Sequence, residues 1–578
     1  MSSQRLQSQF ARVYGHFGGK DSETTLQDMS AILECTRRNA RMVLNKMAET
    51  GWITWQPAVG RGKLSRLIFH RSTSDLQQKR LRQWISEGKL DAAFDALNHD
   101  AGKLALLIQE LLGSSTREGK QIIRLPYYRP FYCLNPAKPL RRSENHLIRQ
   151  IFNGLTRVND KTERVEPDLA HHWQKITERH WRFFIRPSVY FHDGKPLQVR
   201  DIIWSLESLR NHTYFSHIDR VNSPAINVID VFLTIADHRF ADSLALPMAS
   251  IRSREASATK NADRFPVGTG AYKVAENTDR KLVLEAHDQY FGFRALTDTV
   301  EIWVLDNTAM CQLHPSASLH PGALDTRRGT FSNMTGKRMV LDEGSNFLLL
   351  NRRSGIAKDP RWAAFFQYRL SPAHMLPLLE ASGAAEYRLT PAYGLRPGWA
   401  HTPAVLPEID TPGPTTIYLG YQGSHPLYPI MGKVIKTILA RDNINVEFIV
   451  LEHEQIQSGK DLKKIDIWLG GVSLGSKRSD ALLQWVFCFG LFSAMMPERE
   501  YEATMREVDK SRSNDTEDSY YDESLARTLV DTRQLLPLFH IWLGVIDDSE
   551  LQDFSSNTVG WFDFKSVWTK PSDNDLEV

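Results

Sequence analysis

Apolar residues recur at helical spacing from the first residues of the chain. Leu6, Phe10, Val13, Tyr14 and Phe17 predict an opening amphipathic helix, and Leu26, Met29, Ile32 and Leu33 predict a short second one after Thr24-Thr25. A break at Glu34-Cys35 precedes Thr36, whose hydroxyl suits an N-cap. Behind it Ala40, Val43, Leu44 and Met47 form one stripe, while Arg37, Arg38, Arg41 and Asn45 fall on the other side. Gly51 can end this helix in the left-handed conformation. The period then changes to two. Trp52–Trp55 and Ser65–Phe69 alternate as strands around a basic tip, Gly60-Arg61-Gly62-Lys63. Helix, turn, helix and two-stranded wing occur in that order, so residues 1–71 are predicted to be a winged helix-turn-helix.

Residues 75–113 return to helical spacing, with Leu76, Leu81, Trp84, Ile85, Phe94 and Leu97 among the apolar positions, and predict a helical connector over 72–120. From 121 to 578 strands and helices interleave. Strands are expected at Ile122–Leu125, Trp181–Ile185, Leu282–Ala286, Val300–Val304, Phe347–Leu350, Thr416–Tyr421 and Val446–Leu451, and helices at Glu144–Asn153 and Pro429–Leu439. Residues 507–524 are polar and acidic and read as a surface loop. The fold class is α/β overall. A stretch of that length exceeds a usual single domain, so two lobes with a cleft between them are expected.

Charge sharpens the reading of the front end. From Thr36 to Arg71 there are eight Lys/Arg and one acid, a net +7 in a chain that totals +3. A local basic face attracts phosphates and releases counterions. Arg and Asn also read base edges in the major groove. Thr36, Arg37, Arg38, Arg41, Asn45, Arg61, Lys63 and Arg66 are therefore the candidate contacts to double-stranded DNA, the helix in the major groove and the wing on phosphate or in the minor groove. The alternative is a winged helix that contacts protein.

Composition excludes several classes. Hydrophobic content of 42% and charged content of 24% are ordinary for a globular chain. Cys35, Cys133, Cys311 and Cys488 are far apart, without metal-ligand spacing, and read as thiols in a reducing compartment. The start, Met-Ser-Ser-Gln-Arg-Leu-Gln, has no apolar h-region, and no run of 18 or more apolar residues occurs, so no export signal and no membrane span are expected and the location is cytoplasmic. Gly-x-Ser-x-Gly, a Walker loop and a Rossmann fingerprint are absent. His171-His172 are neighbours that would point apart on a helix, and His453-Glu454 has no second histidine four residues on. Neither an enzyme nor a bound metal or cofactor is expected.

Several segments of the large region carry a shared wording: Gln150–Thr156, Glu166–Trp173, Arg186–Leu197 with its Phe-His-Asp-Gly-Lys-Pro-Leu, Asp201–Leu206, Pro266–Tyr272 and Phe347–Asn351. This stretch resembles the extracellular solute-binding proteins of family 5, the peptide and nickel receptors of transporters, and implies their two-lobed type II binding-protein fold. Together with the winged helix, and with Ala58–Leu67, Tyr127–Pro130, Leu140–Glu144 and Gly560–Ser566, the whole chain resembles the SgrR-type transcription regulators. The resemblance implies an activator of a small regulatory RNA gene and of sugar-efflux genes under sugar-phosphate stress. Its implied partners are DNA, a small-molecule effector such as a sugar phosphate, and RNA polymerase. Peptide receptors carry an acid near their Trp-rich cleft segment. Here Ile467–Arg478 holds glycines, serines and Lys477-Arg478 instead, which argues against peptide and suits an anion. Ligands of α/β lobes collect beyond the carboxyl ends of strands, which selects Tyr128, Arg129, Asn351, Tyr421, Trp468 and Ser473 as candidate effector contacts.

Overall fold

The structure, a computed structural model, describes residues 3–570 apart from 59–62, 110, 139, 160–161, 306–336, 385–387, 458, 460, 475–480, 489, 515–520, 547–550 and 554–560. The chain divides into two compact units, Met1–Leu111 and Leu112–Val578.

The first unit opens with α1 (Ser3–His16), β1 (Ser22–Thr24), α2 (Leu26–Ile32) and α3 (Arg37–Glu49). Thr25 caps α2 in a reciprocal box with Asp28, and the Thr36 hydroxyl accepts from the Asn39 N–H at the start of α3. These caps satisfy backbone donors that both short helices would otherwise leave orphaned. Gly51, at φ +71°, turns the chain out of α3 into β2 (Ile53–Gln56). β2 and β1 both pair antiparallel with β3 (Ser65–Phe69), giving the sheet order β1-β3-β2. Leu6, Phe10, Val13, Met29, Val43, Leu44, Met47 and Leu67 close one core beneath them.

Three helices follow: α4 (Thr73–Ser86), α5 (Leu90–Ala96) and α6 (Ala101–Gln109). Leu76 of α4 joins the core just described, and α4 packs on α1. The stretch 72–120, expected as a separate connector, is thus divided. Its helices complete the first unit. Its last residues form β4 (Gly113–Arg117), which pairs with β5 (Lys120–Tyr127) inside the second unit. Gly119, at φ +76°, makes the turn between them.

The second unit contains three larger sheets. A five-stranded sheet runs Tyr272–Asn277, Lys281–Ala286, Thr299–Val304, β5 and β4, with Thr299–Val304 parallel to β5. A four-stranded antiparallel sheet comprises Ile218–Ala225, Val228–Leu233, His180–Ile185 and Ala170–Thr177. His171 and His172 lie in the last of these strands, where successive side chains take opposite faces, and not on a helix. A seven-stranded sheet is built on Gly344–Leu350, buried along its whole length, with Leu535–Ile546 on one side and Ile467–Ser473 on the other. Thr415–Gln422 lies parallel to Ile467–Ser473 and to Ile444–Leu451, and the helix Tyr428–Ala440 makes the crossover that a parallel pair needs. The chain finally returns to the five-stranded sheet, where Trp561, Phe562, Phe564 and Val567 fill its core.

Residues 507–512 and 521–524 differ from the expected loop, and 515–520 lie outside the described residues. Glu498–Arg512 is a helix, and Tyr521–Asp531 begins another. Thr504, Val508 and Arg512 form a buried stripe at four-residue spacing. Arg512 is buried because Asp237, His217 and the Tyr214 carbonyl receive its guanidinium. A polar composition hides a packed helix when its one buried cation finds partners far away in sequence.

Candidate functional site

In the first unit, the caps that fix α3 also fix what it presents. Ala40, Val43, Leu44 and Met47 are fully buried, so Arg37, Arg38, Arg41 and Asn45 stand exposed on the opposite side. Arg37 donates to the Gln27 side chain. Arg38 and Arg41 make no ion pair among the described residues, and neither do Lys63 and Arg66. Arg66 is exposed between buried Ser65 and Leu67 of β3. Thr36 is exposed, with its hydroxyl engaged as the cap. Arg61 lies outside the described residues. Two features escaped the sequence reading. Met42 is a large apolar side chain 56% exposed on the outer face of α3. Lys46 extends the basic face but is paired to Glu49 at 3.0 Å.

In the second unit, a cavity of about 340 Å³ is lined both by the five-stranded sheet with its following helix, α7 (Arg142–Ile151), and by the seven-stranded sheet. That volume lies at the small-ligand end of the usual range. Four of the six expected effector residues line it: Tyr128, Arg129, Trp468 and Ser473. Asn351 and Tyr421 do not. Asn351 is fully buried and donates to the Ile465 carbonyl and the Ser354 hydroxyl, tying strand to loop. Tyr421 packs in the hydrophobic core under the seven-stranded sheet, edge-on to Phe448. Both stand at a strand end, but each side chain points to the packed face.

The cavity wall is rich in arginine. Arg129 donates from both Nη groups to the two oxygens of Glu144, at 2.5 and 2.8 Å, with Tyr127, Tyr128 and Phe131 around the guanidinium. Burial works against the Glu144 charge, yet the Arg129 cation and its hydrogen bonds hold the carboxyl down to about 2. Arg142 donates to Asp342 at 2.7 Å, and the Ser473 hydroxyl donates to the other Asp342 oxygen at 3.3 Å. Arg141 reaches Ser424. His425 stacks on Tyr428 with ring centroids 3.8 Å apart; burial, with Arg129 nearby, pushes it down to about 3, so it is neutral. Arg141, Arg142, Asp342 and His425 were not anticipated, although Leu140–Glu144 had stood out as a segment.

The glycine segment is shaped by its neighbours. A Cβ at Gly471 would lie 2.9 Å from the Tyr428 hydroxyl and 3.0 Å from Asn346 Nδ2, and one at Gly470 would lie 2.8 Å from Trp468 Nε1. An acidic side chain has no room at either position. Lys477 and Arg478 lie outside the described residues. Among the described residues no group of three or more His, Cys, Asp or Glu could hold a metal ion, and no helix is long and apolar enough to cross a membrane.

Comparison with known proteins agrees with both units. Residues 5–119 match the family described as sugar transport-related sRNA regulator, N-terminal, and residues 164–316 match the middle region of bacterial extracellular solute-binding proteins, family 5. The Escherichia coli murein tripeptide binding protein MppA superposes with a TM-score of 0.64 at 15% identity, covering 79% of this chain and 99% of its own. The oligopeptide-binding protein AppA of Bacillus subtilis does so at 0.62 and 16%, covering 78% and 99%. Fold and site together define a helix-turn-helix transcription regulator built on a solute-binding-protein scaffold. The HTH-type transcriptional regulator SgrR of Yersinia pestis (strain Pestoides F) is 35% identical over 571 residues, 99% of this chain and all of that relative. The chain belongs to the SgrR family of transcriptional regulators.

Proposed function

We propose that this regulator grips double-stranded DNA through α3 and the wing, and that a small anionic metabolite held in the cavity of the second unit controls it. The observation that carries the reading is the exposed pair Arg38 and Arg41, without an ion pair among the described residues, on a helix whose other side is fully buried. Side chains of that kind at the front of a recognition helix meet base edges and phosphates. Lys63 and Arg66 extend the contact along the wing, and Arg61 belongs to the same set. The arginine-lined cavity supports an anionic effector, and the family's description as a sugar transport-related sRNA regulator supports a sugar phosphate. The regulated targets are then a small regulatory RNA gene and sugar-efflux genes, activated through contact with RNA polymerase in the cytoplasm. Lobe closure around the ligand is the two-state element that biases activity. The protein binds and signals and has no catalytic role.

The test is a gel shift with DNA from upstream of the regulated genes, with a reporter in cells. Arg38→Ala combined with Arg41→Ala is expected to abolish the shift while the melting temperature is kept. Unchanged binding would assign α3 to protein contacts.

A further inference from the structure

Three arginines of the cavity wall, Arg129, Arg141 and Arg142, have a buried Nε without a partner among the described residues, and Arg142 alone of these three has a neighbouring Nη open beside it. Arg142 stands at the first turn of α7 and gives Nη1 to Asp342, two residues before the strand Gly344–Leu350. The ion pair therefore joins the two sides of the cavity. Its Nε and Nη2 are buried without a hydrogen-bond partner among the described residues. Those two groups form the side-on edge of the guanidinium, the edge that takes a carboxylate or phosphate through two parallel hydrogen bonds. Buried donors left open are costly, so an unfilled fork of this kind marks a place for an acceptor. Asn346 Oδ1 and Ser345 Oγ, on two successive lining residues of that strand, are also buried without a partner among the described residues. They ask for hydroxyl donors. Among the described residues the nearby charges are Arg129 and Arg141, with Glu144 behind them and Asp342 opposing, and His425 neutral, so three arginines meet two carboxylates.

We propose that the side-on edge of Arg142 is the group that reads the oxyanion of the effector, with Asp342 as the positioning residue that holds the opposite edge from across the cavity. The inference rests on the cavity being the effector site. It adds the specificity element: a hydroxylated molecule with a phosphate or a carboxylate at one end is accepted, and its neutral counterpart is refused. Arg129 cannot do this, because Glu144 already occupies its end-on edge and its surroundings are closed by three aromatic rings. Lysine cannot replace Arg142, because a point charge has no fork.

The experiment is calorimetric titration of the full chain with glucose 6-phosphate, gluconate and glucose, which separates phosphate, carboxylate and no charge. At least one of the two anions is expected to bind about tenfold or more tighter than glucose, and Arg142→Lys is expected to lose about tenfold for that anion with the melting temperature retained. Should Arg142→Lys lose its fold, Asp342→Asn carries the test: the asparagine oxygen still accepts from Nη1 and holds the edge, while loss of the negative charge beside the fork tightens the anion several-fold, roughly threefold or more. Equal binding of glucose, an unaltered Arg142→Lys, an Asp342→Asn no tighter than the natural protein, or failure of all three ligands each overturns the assignment. None of these outcomes touches the gel shift, so a failure here is distinct from a failure of the DNA-binding reading.

Discussion

Arg129 and Glu144 form a two-bond ion pair, 2.5 and 2.8 Å, with both side chains at most 7% exposed. A buried pair of this kind does not by itself make a protein stable, but removing one partner strands a charge. Glu144→Gln is expected to destabilise the second unit by about 3–5 kcal/mol in urea unfolding. The natural pair has a pH signature as well. Glu144 titrates at about 2 when folded and nearer 4.5 when unfolded. Its contribution is therefore complete above pH 4.5 and is lost as pH falls toward 2. A Glu144→Gln variant with an unchanged urea midpoint at pH 7 contradicts this.

Histidines act in a higher window. Burial pushes His146, His192 and His425 down to about 3. Unfolded, each takes a proton near 6.5. Between those values the unfolded chain binds more protons, so stability falls as pH drops from 6.5 toward 3. Urea midpoints of the second unit are expected to be lower at pH 5.5 than at 7.5. His425→Phe, which keeps the stacking on Tyr428, is expected to lessen that slope by about one proton. Equal midpoints at the two pH values contradict the account.

Thr36 and Arg38, two positions apart, are expected to have different duties. Thr36→Ala removes the cap of α3 and is expected to lower the stability of the first unit by about 1 kcal/mol. Arg38→Ala is expected to leave stability alone and weaken operator binding by about 1–3 kcal/mol. Thermal melts and gel shifts on the same two variants separate the roles. A Thr36→Ala protein that melts normally but cannot bind DNA would make Thr36 a direct contact.

The wing is expected to behave otherwise. Lys63→Ala with Arg66→Ala should weaken operator and unrelated duplex alike and flatten the salt dependence by about one phosphate each, because phosphate contacts carry no sequence information. Loss confined to the operator would place these residues on bases.

Residues 1–71 of the first unit were legible because their signals are local, while the packing of the next three helices onto them was not. The cap at Thr36, the stripe Ala40–Met47 and Gly51 each act within a few residues, whereas the Thr25 cap went unread. The cavity was only half legible. Tyr128, Arg129, Trp468 and Ser473 follow from ligands gathering beyond strand ends, but that rule cannot say which way a side chain turns, and it failed for Asn351 and Tyr421. Arg142 and Asp342 are 200 positions apart and meet only through the fold. The buried helix around Val508 and Arg512 was hidden for the same reason, since Asp237 and His217 are its long-range partners. Sequence spacing reports what neighbours do, and these pairs are not neighbours.

The basic face of the first unit is expected to neutralise phosphates of a duplex. Fluorescence anisotropy of the full chain on a labelled duplex, across a series of salt concentrations, tests it most directly. The account requires affinity to fall with a log–log slope of about −0.9 for every phosphate neutralised, and the slope to shrink when Arg38 and Arg41 become alanine. An affinity indifferent to salt, or no binding at the lowest salt, would contradict it.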